Sequence, residues 1–353
     1  MARDKLISIQ VLRAVAALSV LIGHAQTNAE QMSETFTRTA FPWGAGVDIF
    51  FVISGFIMVV SSEKLYGAAG GFREFLTRRI VRVVPLYWLY TTLAIAALFV
   101  VPGELNKMRW DTASAVGSYL FYPVRRWDGA ISPILSLGWT LNYEMFFYVL
   151  FSATLFLSRA KSILLLVSML AVLAIIGAQV EFKSAPPEFW TNPIIIEFAF
   201  GVLIGYAYLS FRWLPSTLML IVGLGLAAAG QFVLDEVIAA PRAIAWGVPA
   251  ALLVASAIWG AGERLSGLLK PLADWLGESS YSLYLSHPFA VGGVGILWPF
   301  APGQADWAFV ATSVIVALIG GVISHRLVEQ PMLAFLRRRV EPRRSGDVAA
   351  EPL

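Results

Sequence analysis

Long apolar runs recur about every 25 to 35 residues along almost the whole chain, and most are long enough to cross a bilayer as a helix. Hydrophobic residues make up 58% of the 353 residues, and charged residues make up 14%. A backbone within lipid must satisfy its own hydrogen bonds, which favours helices over irregular structure. The sequence therefore predicts an all-α polytopic membrane protein and excludes a soluble globule of this size.

Glycine, proline and charged residues divide the apolar runs into about ten predicted spans. These are residues 6–25, 46–61, 83–101, 133–157, 162–180, 193–211, 216–234, 243–260, 280–299 and 307–330. A cytoplasmic N-terminus places 19 of the 26 Lys and Arg residues in inside segments and 7 outside. Because Lys and Arg concentrate in cytoplasmic loops, both termini are expected in the cytoplasm.

The chain is expected to form one membrane domain over residues 1–335, followed by a short basic cytoplasmic tail over 336–353. Arg3 and Lys5 before the first apolar run also fit a cleavable signal peptide, but Arg13 interrupts what would be its apolar core. A weaker apolar piece, 113–122, is expected to dip into the membrane surface.

The composition also excludes several kinds of catalytic and metal-binding site. The chain has no cysteine, which excludes disulfides, thiolate metal sites and a cysteine nucleophile. Its three histidines form no cluster with carboxylates at metal-ligand spacing, and no phosphate-binding glycine loop or Gly-x-Ser-x-Gly motif is present. Neither a bound metal nor a nucleic-acid partner is predicted.

The first span contains two functional candidates. Arg13 and His24 are eleven residues apart, so a helix places them on nearly the same face, about three turns from each other. An arginine inside a membrane helix costs roughly 2.5 to 3.5 kcal/mol on insertion scales. A plain anchor would avoid that cost, so both side chains are expected to serve the protein interior. The predicted orientation places Arg13 toward the cytoplasm and His24 toward the outside.

Two carboxylates are candidates for catalysis. Asp48 opens the second span, level with His24, where it either orients the imidazole or caps the helix. Glu144 lies inside the fourth span, where a buried carboxylate needs a partner or a function. A structural ion pair with an arginine on another span is the alternative for Glu144. Ser54 and Gly55, by contrast, are interpreted as helix-packing residues.

Three arginines precede the third span. A helix would gather Arg78, Arg79 and Arg82 into a group that suits phosphates, because each guanidinium can bind an oxyanion with two hydrogen bonds. Arginine groups beside membranes also set topology and hold anionic lipid headgroups.

In the ninth span, His287 is either a hydrogen-bonded core histidine or a donor-binding residue. Near the end of the tenth span, Arg326 and Glu329 are expected to pair.

These segments, in this order, resemble the membrane acyltransferase-3 family over residues 6 to about 335, and the first of them is most similar to its exopolysaccharide acetyltransferase (ExoZ-type) branch. Six ordered motifs are hard to obtain by chance. They are Arg13 with ten residues before His24, Gly-Val-Asp-x-Phe-Phe-x-x-Ser-Gly-Phe at 46–56, Arg79-x-x-Arg82 before Pro85, Glu144 before aromatic residues, Ser-Tyr-Ser-Leu-Tyr-Leu-x-His-Pro at 280–288, and Glu329 before Pro331.

The resemblance implies a multi-pass enzyme of the bacterial inner membrane. Such an enzyme moves an acyl group, above all acetyl, from cytoplasmic acyl-CoA to a hydroxyl of an extracytoplasmic or polyprenyl-linked carbohydrate such as exopolysaccharide. Acetyl-CoA is then a co-substrate, and no bound cofactor is expected. The expected catalytic residues are His24, Asp48 and Glu144, and the expected donor-binding residues are Arg13, Arg78, Arg79, Arg82 and His287.

Two other functions fit the same residues. Arg, His and Glu inside a membrane also suit a carrier or flippase that moves a glycan or acyl intermediate without forming a bond. A scaffold for polysaccharide assembly is the third alternative. The acyl group, the acceptor sugar, its hydroxyl position and the choice between direct transfer and an acyl-histidine intermediate remain open at this point.

Overall fold

The computed structural model describes residues 7–100, 110–210, 215–229, 242–261, 270–271 and 273–340. Within these residues the chain is helical, with one isolated antiparallel bridge between Arg125 and Ile131 and no β-strand. The predicted all-α fold is therefore confirmed. Seven of the described helical segments are long and apolar enough to cross a membrane, so this is a multi-pass membrane protein. The count of about ten spans and the side of each terminus stay predictions.

Thirteen α-helices are assigned within the described residues. In chain order they are α1 Ile7–Met32, α2 Gly46–Ser61, α3 Gly71–Val100, α4 Thr112–Leu120, α5 Trp139–Thr154, α6 Arg159–Gln179, α7 Ala185–Trp190, α8 Ile196–Ser210, α9 Ser216–Ala229, α10 Val248–Ser256, α11 Glu278–Leu297, α12 Asp306–Ser324 and α13 Gln330–Val340. π-Helical turns lie at Ala243–Gly247, Ala257–Ala261, Ala273–Gly277 and His325–Glu329.

Several predicted bounds change in the structure. Helix α2 coincides with the predicted second span, 46–61, and α4 lies at the weaker apolar piece. Helix α1 continues to Met32, and α3 begins twelve residues before its apolar run, at Gly71, because its first turns are amphipathic. Helix α13 crosses the expected start of the tail at residue 336. Residues 341–353, like Arg3 and Lys5, lie outside the described residues.

Close helix contacts form the core. Helices α2 and α8 pack along each other, and a Cβ on Gly55 would lie 2.2 Å from the carbonyl oxygen of Phe198. Only glycine permits this approach, which confirms the packing interpretation of Gly55. Around this contact, Phe51, Phe147 and Phe198 stack their rings in the interior.

Helix α1 is central to the site because it packs against α2, α11 and α12. Arg13 and His24 lie on this one continuous helix, about 16 Å apart along its axis. Each therefore meets a different set of neighbours, one near each end of the bundle.

Candidate active site

The end of the bundle that contains His24 has a pair of histidine rings. Nδ1 of His24, on α1, lies 2.7 Å from Nε2 of His287, on α11. His24 is exposed, whereas only 1% of the surface of His287 is accessible. We call His24 and His287 the histidine pair. Sequence reasoning had assigned the two residues to different substrates, and the structure brings them into direct contact.

The neighbours of the histidine pair fix the tautomer of each neutral ring. Nδ1 of His287 lies 3.1 Å from the carbonyl oxygen of Leu283, one turn earlier on α11. A carbonyl only accepts, so Nδ1 of His287 carries the proton and its Nε2 is an acceptor. Nδ1 of His24 must then donate to that acceptor, which leaves Nε2 of His24 unprotonated. This nitrogen has the lone pair that a general base or a nucleophile requires.

Near the other end of α1, buried charges form a second group. Glu329 is fully buried and receives hydrogen bonds from Arg82, from Ser282 at 2.6 Å and from Nδ1 of His325 at 2.8 Å. The Arg82 guanidinium, 28% exposed, forms an ion pair with it. The π-helical turn His325–Glu329 brings Glu329 to this position. Such turns often occur at functional sites.

A second carboxylate belongs to the same group. Glu144 accepts hydrogen bonds through Oε1 from Ser54 at 2.9 Å and from Tyr148 at 2.5 Å. Arg13 and Arg79 both interact electrostatically with Glu144, and the buried Nε of Arg79 has no hydrogen-bond partner among the described residues. The ion pair of Glu144 with an arginine on another span stays a prediction, and Ser54 contributes a polar contact in addition to packing.

We call Arg13, Arg79, Arg82, Glu144 and Glu329 the arginine cluster. Its members come from α1, α3, α5 and the π-helical turn after α12. Three guanidiniums face two carboxylates, so the cluster has one positive charge in excess. An excess of positive charge and an unpartnered guanidinium nitrogen inside a protein suit an anionic ligand such as a phosphate.

Asp48 has different neighbours from those expected. Its carboxylate, fully buried at the start of α2, is held by Arg242, with Nε at 3.0 Å and a terminal nitrogen at 2.5 Å. The expected contact with His24 is wrong, because Asp48 pairs with Arg242 and His24 pairs with His287. Arg242 also donates to the carbonyl oxygen of Gly44 at 3.1 Å. The Asp48–Arg242 ion pair therefore stabilises the position of the segment before α2.

The three arginines of α3 are not gathered as expected. Arg78 pairs with Glu74 one turn earlier on the same helix, and both side chains are nearly half exposed. Arg82 pairs instead with the buried Glu329, and the charge of the half-buried Glu144 acts on Arg79. Because a local partner lies at the favourable i, i+4 spacing, the Arg78 guanidinium stays at the surface.

Comparison with known proteins places the sequence of this chain in a family. The acyltransferase-3 family model, described as Acyltransferase domain, matches residues 6–326. The chain belongs to the acyltransferase-3 family. It is 34% identical to the exopolysaccharide production protein ExoZ of Rhizobium meliloti (strain 1021) over 317 residues, which are 88% of this chain and 95% of that protein. No solved structure matches the chain.

Two further relatives are partial matches. The peptidoglycan O-acetyltransferase OatA of Listeria monocytogenes is 28% identical over 183 residues, which cover 48% of this chain and 28% of that protein. The O-acetyltransferase OatA of Staphylococcus aureus (strain NCTC 8325 / PS 47) is 31% identical over 154 residues, which cover 40% of this chain and 23% of that protein. The family membership, the multi-pass architecture and the acyltransferase class predicted from sequence are confirmed.

Sequence reasoning missed three partners in this acyltransferase-3 protein. Arg242 was counted only as an outside charge, and nothing in the sequence pairs it with Asp48, 194 positions away. Glu329 was expected to pair with Arg326, but it faces Arg82, and Arg326 lies over the Trp275 ring at 5.1 Å. A π-helical turn, which sequence periodicity did not reveal, places Glu329 inside the protein.

Proposed function

We propose that this acyltransferase-3 protein is an inner-membrane enzyme that transfers acetyl from cytoplasmic acetyl-CoA to a carbohydrate hydroxyl on the outer side or on a lipid-linked glycan. The names of its relatives support the acceptor class, since one takes part in exopolysaccharide production and two are O-acetyltransferases. The two polar groups at different depths of the bundle support a reaction whose substrates come from opposite sides.

The acceptor reacts at the histidine pair. Nε2 of His24 takes the proton from a sugar hydroxyl, and the oxygen attacks the acetyl carbon. The carbon–sulfur bond breaks, and His24 returns the proton to the departing thiolate, so that the products are the sugar ester and CoA thiol. His287 holds the reactive tautomer, which makes it a positioning residue rather than the donor-binding residue expected from sequence. Attack by Nε2 itself, through an acetyl-histidine, uses the same geometry.

The donor binds at the arginine cluster. Arg79 and Arg82, with Arg78 nearer the surface, are proposed to bind the phosphates of CoA, and Arg13 to line the path of the pantetheine arm toward His24. Glu329 holds Arg82 through an ion pair, and the negative charge of Glu144 acts on Arg13 and Arg79. Asp48 is proposed to stabilise the outer segment through Arg242 and not to take part in proton transfer.

The unprotonated Nε2 of His24, backed by a buried histidine, is the observation that carries this proposal. The experiment complements a deletion strain with wild type or His24→Ala and follows the ester signals of its surface polysaccharide by NMR. Wild type should restore the ester, and correctly inserted His24→Ala should not. Wild-type ester levels in His24→Ala cells would contradict the mechanism.

The carrier alternative makes a different biochemical prediction. Purified wild-type protein in nanodiscs should release CoA from acetyl-CoA at a rate that depends on added deacetylated polysaccharide. Movement of a glycan across a vesicle membrane without CoA release would favour a carrier instead.

A further inference from the structure

The segment between α1 and α2 folds back over α1, where Trp43 packs on Gly23, the residue before His24. We propose that Phe41 and Trp43, with the Arg38–Glu30 ion pair on the same side, form the subsite that binds the acceptor sugar ring. This inference rests on the proposed function, and it assigns the acceptor to a defined surface.

The two aromatic rings form a platform in which Phe41 is exposed and Trp43 is half-buried. Phe41 is 56% exposed, and its ring centroid lies 4.4 Å from that of Trp43, with the rings tilted by 51°. Aromatic faces offer apolar surface to the C–H face of a sugar, and binding sites for small ligands combine such rings with a few polar groups. The platform therefore has the chemistry of a carbohydrate subsite.

The position of Trp43 is fixed by the protein. Its indole nitrogen donates to Oγ1 of Thr39 at 2.8 Å, and Thr39 donates through its backbone N–H and its hydroxyl to the buried side chain of Gln26. Ser19 donates to the carbonyl oxygen of Trp43 at 2.6 Å. A Cβ on Gly23 would lie 2.7 Å from Cβ of Trp43, so Trp43 packs directly on the residue before His24.

These bonds distinguish the platform from an ordinary interfacial tryptophan. A tryptophan of a membrane belt presents its N–H to water or headgroups. The N–H of Trp43 is already bound to Thr39 of its own segment. The carbonyl of the next residue, Gly44, is held by Arg242, which the buried Asp48 fixes in turn. A preorganised ring that packs on the residue before the proposed base suits a positioned acceptor.

Polar groups for sugar hydroxyls lie on the same segment and on the last turns of α1. Arg38 pairs with Glu30 at 2.7 Å, and both side chains are about half exposed, at 52% and 41%. Arg38 also reaches Oγ1 of Thr27, three residues after His24 on α1. The pair thus offers donors and acceptors to a neutral sugar without adding net charge.

The test measures kinetics of the full-length protein in nanodiscs, with radiolabelled acetyl-CoA as donor and base-deacetylated exopolysaccharide of the host strain as acceptor. Phe41→Ala and Trp43→Ala should each raise the acceptor KM about tenfold, equivalent to ~1.4 kcal/mol of lost contact. Trp43→Phe, which keeps an aromatic face, should remain close to wild type. The KM for acetyl-CoA should be unchanged in all three variants.

The matched control is Trp110→Ala. Trp110 is 51% exposed and follows α3, at the same end of the bundle as Trp43, but it packs against Phe99. An unchanged acceptor KM in Phe41→Ala and Trp43→Ala, or an equal rise in Trp110→Ala, would overturn the subsite and leave the proposed function intact. A wild-type protein that acetylates no carbohydrate would overturn both.

Discussion

The groups around the two ends of α1 differ in charge and in the chemistry that they can perform. Around Arg13, three guanidiniums and two carboxylates form a charged group, in which Glu329 pairs directly with Arg82 and the charge of Glu144 acts on Arg13 and Arg79. Around His24, two neutral imidazoles share one hydrogen bond, and one ring faces outward. Charge suits a polyanionic donor, whereas an unprotonated nitrogen suits removal of a proton from a neutral hydroxyl. Binding and chemistry should therefore be separable by substitution.

The largest expected effect follows from His24→Ala. Loss of the base should lower acetyl transfer about a thousandfold, within the range of general-base contributions. The affinity for acetyl-CoA should stay within about twofold of wild type, because the contacts of the arginine cluster are retained. Turnover assays and equilibrium binding of radiolabelled acetyl-CoA on one preparation measure both. A parallel loss of donor binding would show that the two ends are not separable.

A smaller effect is expected at His287, where two variants separate positioning from packing. His287→Phe fills the space but offers no acceptor to Nδ1 of His24, and turnover should fall about a hundredfold. His287→Gln provides an amide oxygen for that N–H and an N–H for Leu283, so turnover should stay within about tenfold of wild type. The acceptor KM should change little in either variant. Equal losses in both variants would contradict the orienting role.

Substitutions of two neighbouring arginines should change the affinity for acetyl-CoA by different amounts. Arg79→Gln removes the guanidinium whose buried Nε has no partner among the described residues, and the Kd for acetyl-CoA should rise about thirtyfold, since hydrogen bonds to charged groups contribute about 1.5 to 3 kcal/mol. Arg78→Gln removes a surface guanidinium paired with Glu74, and a rise of less than about threefold is expected. An equal rise for Arg78→Gln would contradict the separation of these arginines in the structure.

The smallest effect should come from adding a methyl group against the segment that connects α1 and α2. Gly23→Ala places a methyl group against Trp43, and overpacking of this kind costs about 1 to 3 kcal/mol unless the segment moves. Displacement of the platform should raise the acceptor KM severalfold. Gly293→Ala is the control, because a Cβ at Gly293 meets nothing within 4 Å. A matching rise in the control would remove the link to Trp43.

Local patterns predicted much of this molecule. Apolar runs indicated the helices, and the eleven-residue spacing placed Arg13 and His24 on one helix, as α1 confirms. The motifs correctly indicated the family. These features depend on residues that are close in sequence, and a single amino-acid sequence is therefore sufficient to predict them.

Partners far apart in sequence could not be predicted in the same way. Asp48 and Arg242 meet across 194 positions, and His24 and His287 across 263. Glu329 turns inward because of a π-helical turn, which the 3.6-residue periodicity does not reveal. The identities of the polar residues were therefore evident from the sequence, but their pairing needed the tertiary structure.

The most direct test of the histidine pair is ¹⁵N NMR of the protein labelled at histidine. The chain has only three histidines, so the ring signals of His24 and His287 can be assigned with single substitutions. In the neutral rings, both residues should carry their proton on Nδ1, which leaves Nε2 of His24 unprotonated. A His24 ring protonated on Nε2, with Nδ1 accepting from His287, would contradict its role as the base.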